Sequence, residues 1–202
     1  MQAYFAVATI ILLLILIFSR VVLLRKMGIK VMKFAKTHKS DFLLPPFALL
    51  YFYLVFASAF NWPKVGTELF SNEIIQWVGV VLCILALIFI FLSLISFGKS
   101  FRIGIDLDHP GTLVTTGTFA ISRNPLYTSF AVILLGIFLI FPNWVFLLYI
   151  FAGMWAFHRQ VLREEASLKE IYGEEYIEYC KRVRRYLQHL CSFNSLMASI
   201  ML

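Results

Sequence analysis

Two polar segments interrupt this apolar chain, and they carry the residue types that could do chemistry. The first reads Ser122-Arg123-Asn124-Pro125-Leu126-Tyr127, and the second combines Glu164-Glu165 with the tyrosines Tyr176 and Tyr179. A guanidinium group binds carboxylates, carboxylates bind ammonium groups or hydroxyls, and aromatic faces bind rings or cations. The two segments together supply all three kinds of group.

The histidines and cysteines indicate neither covalent catalysis nor a metal. The four histidines are scattered, and none stands in a serine or cysteine motif that would activate a nucleophile. The three cysteines form no CxxC pair and have no histidine at metal-ligand spacing. We therefore expect no metal site and a reducing compartment around the loops.

The polar segments lie between long apolar runs, so the structures that these runs form must position them. Of 202 residues, 61% are hydrophobic and 14% are charged, and a soluble domain of this size has too little interior to bury so much apolar surface. A helix of about 20 apolar residues crosses a bilayer. The chain is therefore predicted to be an all-α polytopic membrane protein that forms a single integral membrane domain over residues 1–202.

Five spanning helices are predicted from the apolar runs. Three lie within residues 1–97, roughly from Ala3 to Leu24, Phe42 to Phe60 and Ile74 to Phe97. The stretch from Leu126 to Phe157 would be about 48 Å long as one helix, which overshoots the membrane. Because Pro142-Asn143 is a turn signal, we predict a short hairpin over 126–157, Leu126–Phe141 and Asn143–Phe157, rather than one long kinked helix.

Positive charge orients these spans. With five spans, every lysine and arginine except Lys64 falls on one side, which the positive-inside rule makes cytosolic. We therefore predict an outside N-terminus and a cytosolic C-terminus. No cleavage site follows the first span, so we expect a retained anchor and not a signal peptide. Cytosolic loops account for the net charge of +7 without a nucleic-acid partner.

The basic loop and the tail are expected to meet the membrane surface. Lys26, Lys30 and Lys33 have helical spacing and could lie along the anionic inner leaflet, or belong to a solvated loop that only sets topology. Gly173 is expected to separate two amphipathic tail helices. The second of these helices should lie on the inner leaflet through an apolar stripe. That stripe comprises Tyr176, Tyr179, Cys180, Val183, Tyr186, Leu187 and Leu190.

The motifs of residues 97–187 resemble the isoprenylcysteine carboxyl methyltransferase and phospholipid methyltransferase superfamily. The first motif is Leu-Val-Thr-Thr-Gly-x-Phe-x-x-Ser-Arg-Asn-Pro-Leu-Tyr, and an apolar hairpin follows it. The second is Glu-Glu-x-x-Leu-x-x-x-Tyr-Gly-x-x-Tyr-x-x-Tyr-x-x-x-Val. The resemblance implies an integral membrane enzyme that uses S-adenosylmethionine as its cofactor, with residues 98–190 as the methyltransferase core.

Site residues follow from the resemblance position by position. In the family, an Arg-His-Pro-x-Tyr segment and a Glu-Glu pair line the cofactor pocket at the cytosolic face. Catalytic roles therefore fall on Arg123 and Asn124, and the cofactor-binding residues are Arg123, Asn124, Pro125, Tyr127, Glu164, Glu165, Tyr176 and Tyr179. Asn124 replaces the family histidine, and an amide cannot take a proton. This Arg-Asn-Pro form is common in bacterial members, which favours a bacterial cytoplasmic membrane, or the endoplasmic reticulum in a eukaryote.

Simpler roles compete with these assignments. Arg123 could serve only the positive-inside rule, and Tyr127 could be a residue of the interfacial aromatic belt. Glu165 could pair with Lys169 one helical turn away on an exposed surface.

The expected reaction is methyl transfer to a lipophilic or lipidated acceptor that enters from the bilayer, similar to isoprenylcysteine carboxyl O-methylation. An acceptor that is anionic at neutral pH is preferred, a carboxylate first or else an acidic thiol, because Asn124 removes the base that an amine would need. The alternatives are a phospholipid amine N-methyltransferase, an NADPH-dependent sterol-type reductase and a non-enzymatic membrane scaffold.

Overall fold

A computed structural model describes residues 1–27, 44–60, 62, 66–98 and 112–187. These residues form six α-helices and one 3₁₀ helix, with no strand among them. The α-helices are α1 (Gln2–Lys26), α2 (Leu44–Ala59), α3 (Glu73–Phe97), α4 (Pro125–Ile140), α5 (Trp144–Tyr172) and α6 (Glu174–Arg182). The 3₁₀ helix, Gly117–Ala120, precedes α4. The predicted all-α class is confirmed. Lys30, Lys33 and Leu190 lie outside the described residues.

Helix length separates two groups of candidate spans. The helices α1, α3 and α5 are long and apolar enough to cross a membrane. The helices α2 and α4 have 16 residues each, which corresponds to about 24 Å against about 30 Å of hydrocarbon. The protein is thus a multi-pass membrane protein, and the count of five spans stays a prediction.

Contacts between connecting segments define one end of the helix bundle. Gln2 Nε2 donates to Glu73 Oε1 at 3.4 Å, and Leu69 N donates to Pro142 O at 2.7 Å. The start of α1, the segment before α3 and the turn between α4 and α5 therefore lie together. The start of α4 lies toward the opposite end, because α4 ends at that turn. Helix α6 lies beside the start of α4, since Arg123 contacts Cys180.

The predicted hairpin is present, but its second arm is longer than expected. The chain turns after Ile140, and the side chain of Asn143 accepts a hydrogen bond from Val145 N at 2.8 Å. The expected end at Phe157 is wrong, because α5 continues unbroken to Tyr172. The residues after Phe157 are polar but mostly good helix formers. Gly173, with a φ of +52°, then separates α5 from α6 as expected.

The helices α3 and α4 pack with their backbones in contact. A Cβ atom on Gly79 would overlap the carbonyl oxygen of Gly136, and one on Gly136 would lie 2.7 Å from Cys83 Sγ. Small residues permit such close approach between membrane helices. Because Asn124 directly precedes α4, this contact also fixes the first polar segment relative to α3.

A second apolar cluster covers α6. Phe119, Tyr176, Tyr179 and Val183 are buried together, and the Phe119 ring meets that of Phe97 at a centroid distance of 4.5 Å. The expectation that this part of the stripe lies on the membrane surface is therefore wrong. The 3₁₀ helix and the end of α3 bury its aromatic side chains instead.

Candidate cofactor and active site

Glu165 on α5 is the centre of a buried polar cluster. Its side chain is 9% exposed. Oε1 accepts a hydrogen bond from Asn124 Nδ2 at 3.0 Å and lies 3.4 Å from Arg123 Nη2. Oε2 accepts from Arg185 Nε at 2.9 Å, and Arg185 Nη2 also lies 2.9 Å away. We call these four residues the Glu165 cluster. A surface pair with Lys169 does not account for a carboxylate in this setting.

Asn124 connects the start of α4 to α5. Asn124 is the N-cap residue of α4. Pro125 follows as the first helical residue, a position at which the helix needs no backbone N–H donor. The Asn124 side chain makes no capping bond and reaches Glu165 instead. Its backbone N donates to Ser122 Oγ at 3.1 Å. An N-cap asparagine ordinarily accepts a hydrogen bond from the first turn of its own helix. Here the Asn124 side chain instead holds the first polar segment against α5.

The segment after α6 packs against the first polar segment. Arg123 N donates to Arg184 O at 3.0 Å. The carbonyl oxygen of Arg185 accepts from Asn124 Nδ2 at 3.2 Å and from Ser122 Oγ at 3.4 Å. From the sequence, Arg185 was not distinguished from the neighbouring cations of the tail. One signal was available, since Arg185 follows closely on Val183, the last residue of the second motif.

Arg123 has one donor without a partner. Its side chain is 12% exposed, Nη1 donates to the sulfur of Cys180, and Nη2 faces Glu165. Its Nε is buried and has no hydrogen-bond partner among the described residues. A buried donor left unsatisfied costs about 1–3 kcal/mol, which a bound anion would recover. The positive-inside rule alone does not explain a guanidinium that is buried to this extent.

Tyr127 and Glu164 form a second, half-buried pair. Tyr127 OH donates to Glu164 Oε1 at 2.6 Å, and Gln160 Nε2 donates to the same oxygen at 3.1 Å. The Tyr127 ring packs near Phe157 at a centroid distance of 5.9 Å. Tyr127 is therefore joined to a specific acidic partner, which a simple aromatic-belt role does not require. Because Glu164 and Glu165 are adjacent on α5, they point to different neighbours.

Tyr176 and Tyr179 form the inner side of this region. Both are 3% exposed, and Tyr179 OH donates to the carbonyl oxygen of Phe119 at 2.7 Å. Burial raises the pKa of both phenols, so both stay neutral at physiological pH. Their part as walls of a cofactor pocket stays a prediction.

The eight predicted residues lie in one region, but they are not equally available to a ligand. Arg123 Nε could donate to a carboxylate, and the half-buried Glu164 could meet an ammonium group or a hydroxyl. Protein groups engage both oxygens of Glu165, and its direct contact with the cofactor stays a prediction. In the described part of the chain, no group of histidine, cysteine, aspartate or glutamate could hold a metal.

Several known proteins are similar to this chain. The family model described as "Phospholipid methyltransferase" matches residues 74–175. A probable protein-S-isoprenylcysteine O-methyltransferase of Oryza sativa subsp. indica is 27% identical over 119 residues, 57% of this chain and 62% of that protein. Protein-S-isoprenylcysteine O-methyltransferase B of Arabidopsis thaliana is 31% identical over 108 residues, 52% of this chain and 55% of that protein. The chain thus spans less than two thirds of these relatives.

A solved structure shares the fold. It is that of the eukaryotic intramembrane Ras methyltransferase, isoprenylcysteine carboxyl methyltransferase, with a TM-score of 0.53 and 20% sequence identity. The match covers 78% of this chain and 55% of that chain. At this level of identity the likeness concerns the fold alone, a helical membrane architecture.

Proposed function

This chain belongs to the phospholipid methyltransferase family, and from that premise we propose that it transfers a methyl group from S-adenosylmethionine to a lipophilic acceptor. One observation carries the proposal. The segment around Asn124 and the Glu164-Glu165 pair, which lie within the matched residues 74–175, meet through the bond between Asn124 Nδ2 and Glu165 Oε1 at 3.0 Å. Residues 41 positions apart in sequence thereby form one site.

Each side chain has a part in this proposal. Bound S-adenosylmethionine supplies a sulfonium whose methyl group is open to in-line displacement. Arg123 would bind its carboxylate through the buried Nε, and Glu164 its ammonium group or ribose hydroxyls. Glu165 and Asn124 hold Arg123 and the start of α4 in place. Holding donor and acceptor in line and excluding water can supply much of the rate enhancement, so no nucleophilic side chain is required.

We favour a carboxylate as the methylated group. The curated relatives are named protein-S-isoprenylcysteine O-methyltransferases, and their names describe methylation of an oxygen on a lipidated cysteine. An ionised carboxylate needs no base. This suits a site in which Asn124 cannot titrate and Glu165 is paired with arginine. The apolar rings of Phe130 and Phe157 next to Tyr127 suit an acceptor with a lipid chain.

Methylation of a phospholipid amine is the second candidate. The description of the matching family model favours it. The names of the family model and of the curated relatives are those of methyltransferases. They favour either form of methyl transfer over a reductase or a scaffold.

Cofactor binding tests the proposal most directly. We expect the purified protein in detergent to bind S-adenosylmethionine and not NADPH in isothermal titration calorimetry. Arg123→Gln should weaken that binding roughly 10- to 100-fold, the cost of losing a charge-assisted hydrogen bond. Thermal unfolding of the variant without ligand is the control for folding. Binding of NADPH alone would contradict the proposal.

The pH dependence of methyl transfer separates the two acceptors. A carboxylate with a pKa near 4 is ionised at neutral pH, so the chemical step should be nearly flat between about pH 6 and 9. A phospholipid amine is mostly protonated at pH 7, so its rate should rise about tenfold per pH unit until it titrates. The measurement uses saturating cofactor with a membrane extract and then with defined acceptors. A steep rise through neutrality would favour the amine.

We also propose that the site faces the cytosol and the anionic inner leaflet, in a bacterial cytoplasmic membrane or, in a eukaryote, in the endoplasmic reticulum. The distribution of lysine and arginine supports this orientation. The acceptor would then reach the site from the cytosolic half of the bilayer.

A further inference from the structure

Arg185 contacts the site from outside the region that the family model matches. The match ends at residue 175, whereas Arg185 follows α6. Its Nε and Nη2 both lie 2.9 Å from Glu165 Oε2, and its carbonyl oxygen accepts from Asn124 Nδ2 at 3.2 Å. One residue thus holds Glu165 by its side chain and Asn124 by its backbone.

The charges of the Glu165 cluster do not cancel. Arg123 and Arg185 carry two positive charges and Glu165 carries one negative charge, so one positive charge is in excess. Glu165 is closer to Arg185, at 2.9 Å, than to Arg123 Nη2, at 3.4 Å. The pair with Arg185 therefore takes the larger share of the carboxylate.

The excess charge is concentrated on Arg123. Its side chain is 12% exposed, compared with 36% for Arg185, so water screens Arg123 less. Its Nε also has no hydrogen-bond partner among the described residues. A buried cation with a free donor is suited to bind an anionic group of a ligand.

We propose that Arg185 is a positioning residue that draws Glu165 away from Arg123 and so keeps the Arg123 guanidinium available for the carboxylate of the methyl donor. This inference rests on the proposed function. Without Arg185, Glu165 Oε2 would be free to turn to Arg123, whose Nη2 already faces Glu165 Oε1. The resulting bidentate pair would occupy the donors that the ligand carboxylate needs.

Two ligands distinguish this role from a merely structural one. S-adenosylhomocysteine has the amino-acid carboxylate, whereas methylthioadenosine has the same nucleoside and sulfur but lacks the amino-acid part. Both are titrated into the full-length protein in detergent. Arg185→Gln should weaken S-adenosylhomocysteine binding roughly 10- to 100-fold and leave methylthioadenosine binding unchanged. Arg185→Lys should restore part of the loss, because it keeps one charged donor.

Arg184→Gln is the matched control. It removes the same charge from the neighbouring residue, whose side chain is exposed and whose backbone carbonyl makes the contact with Arg123 N. We expect both affinities of this variant to equal those of the wild type. Thermal unfolding without ligand reports whether each variant is folded, and Arg185→Lys carries the comparison if Arg185→Gln does not fold.

The outcomes separate the two proposals. An equal loss of both ligands in the Arg185 variants would assign Arg185 a structural role and overturn the inference. Unchanged S-adenosylhomocysteine binding in Arg185→Gln would also overturn it, with the proposed function intact. A wild-type protein that binds neither ligand would overturn the proposed function and this inference with it.

Discussion

Asn124 illustrates a site residue that acts through hydrogen bonds and not through titration. Its Nδ2 group donates to Glu165 Oε1 at 3.0 Å and to the carbonyl oxygen of Arg185 at 3.2 Å. Both amide hydrogens are therefore in use, and three separate segments meet at one side chain. A residue of this kind holds the site together whether or not it touches a ligand.

Substitution of Asn124 should separate hydrogen bonding from volume. Asn124→His keeps a ring N–H that can donate to Glu165, so we expect this variant to retain cofactor binding. Asn124→Leu has a similar volume but no donor, and it should lower the free energy of unfolding by about 1–3 kcal/mol because Glu165 Oε1 loses its amide partner. Thermal unfolding and calorimetric binding measure the two effects. Equal unfolding temperatures and equal cofactor affinities of the two variants would show that the hydrogen bond between residue 124 and Glu165 contributes to neither property.

The sequence singled out Arg123 and Glu164 as candidate ligand-binding residues, but it did not single out Arg185, which contacts Glu165 in the structure. Arg123 and Glu164 were found because their chemistry is unusual beside apolar spans. Arg185 was missed because Arg182, Arg184 and Arg185 look alike in a cationic run. Which of them turns inward depends on the direction of the chain after α6, and the cationic run itself does not specify that direction.

At the scale of elements, the contact between α3 and α4 determines where the first polar segment begins. The backbones meet at Gly79 and Gly136, and α4 starts directly after Asn124. A change in the spacing of these two helices would therefore shift Arg123 and Asn124 relative to Glu165.

The glycine contact predicts a contrast between two substitutions. Gly136→Ala would place Cβ 2.7 Å from Cys83 Sγ and 2.8 Å from the carbonyl oxygen of Gly79, so a backbone must move at a cost of about 1–3 kcal/mol. Gly153→Ala, the matched control on α5, meets Leu134 Cδ1 at 2.5 Å, and that flexible side chain can move aside. Thermal unfolding in detergent should show a clearly larger loss for Gly136→Ala. The reverse order would contradict close backbone packing of α3 and α4.

Helix starts and turns were more predictable than helix ends and partners. Pro142-Asn143 marked the hairpin correctly, because proline cannot continue the helix hydrogen bonding and asparagine caps the next helix. The end of α5 was missed because hydropathy falls where a membrane ends, while the helix continues to Gly173. The apolar residues of α6 recur at helical spacing. That spacing is the same whether the apolar face contacts a bilayer or Phe119, so the sequence did not indicate which of the two covers it.

At the scale of the whole molecule, charge and contacts predict orientation in the membrane. The start of α1 and the turn between α4 and α5 share one end of the bundle. The lysines and arginines among the described residues lie toward the opposite end. The positive-inside rule makes that opposite end cytosolic.

Tag accessibility checks this orientation. In intact cells, a tag placed before Met1 should be labelled by an impermeant reagent, while a tag after Leu202 should be labelled only once the membrane is permeabilised. A known cytosolic protein serves as the control for cell integrity. Labelling of the C-terminal tag in intact cells would contradict the five-span topology.

The unbroken course of α5 links the site to the thickness of the bilayer. One rigid rod of 29 residues carries both a membrane span and Glu165, which lies about 12 Å beyond Phe157 along the helix axis. Helices respond to hydrophobic mismatch by tilting, so a 10° change of tilt would displace Glu165 by about 2 Å. Arg123 lies at the start of α4, so it would not move together with Glu165 when α5 tilts. Reconstitution in lipids of increasing chain length should therefore alter cofactor affinity without any change in sequence. The thickness of the surrounding bilayer would then regulate cofactor binding.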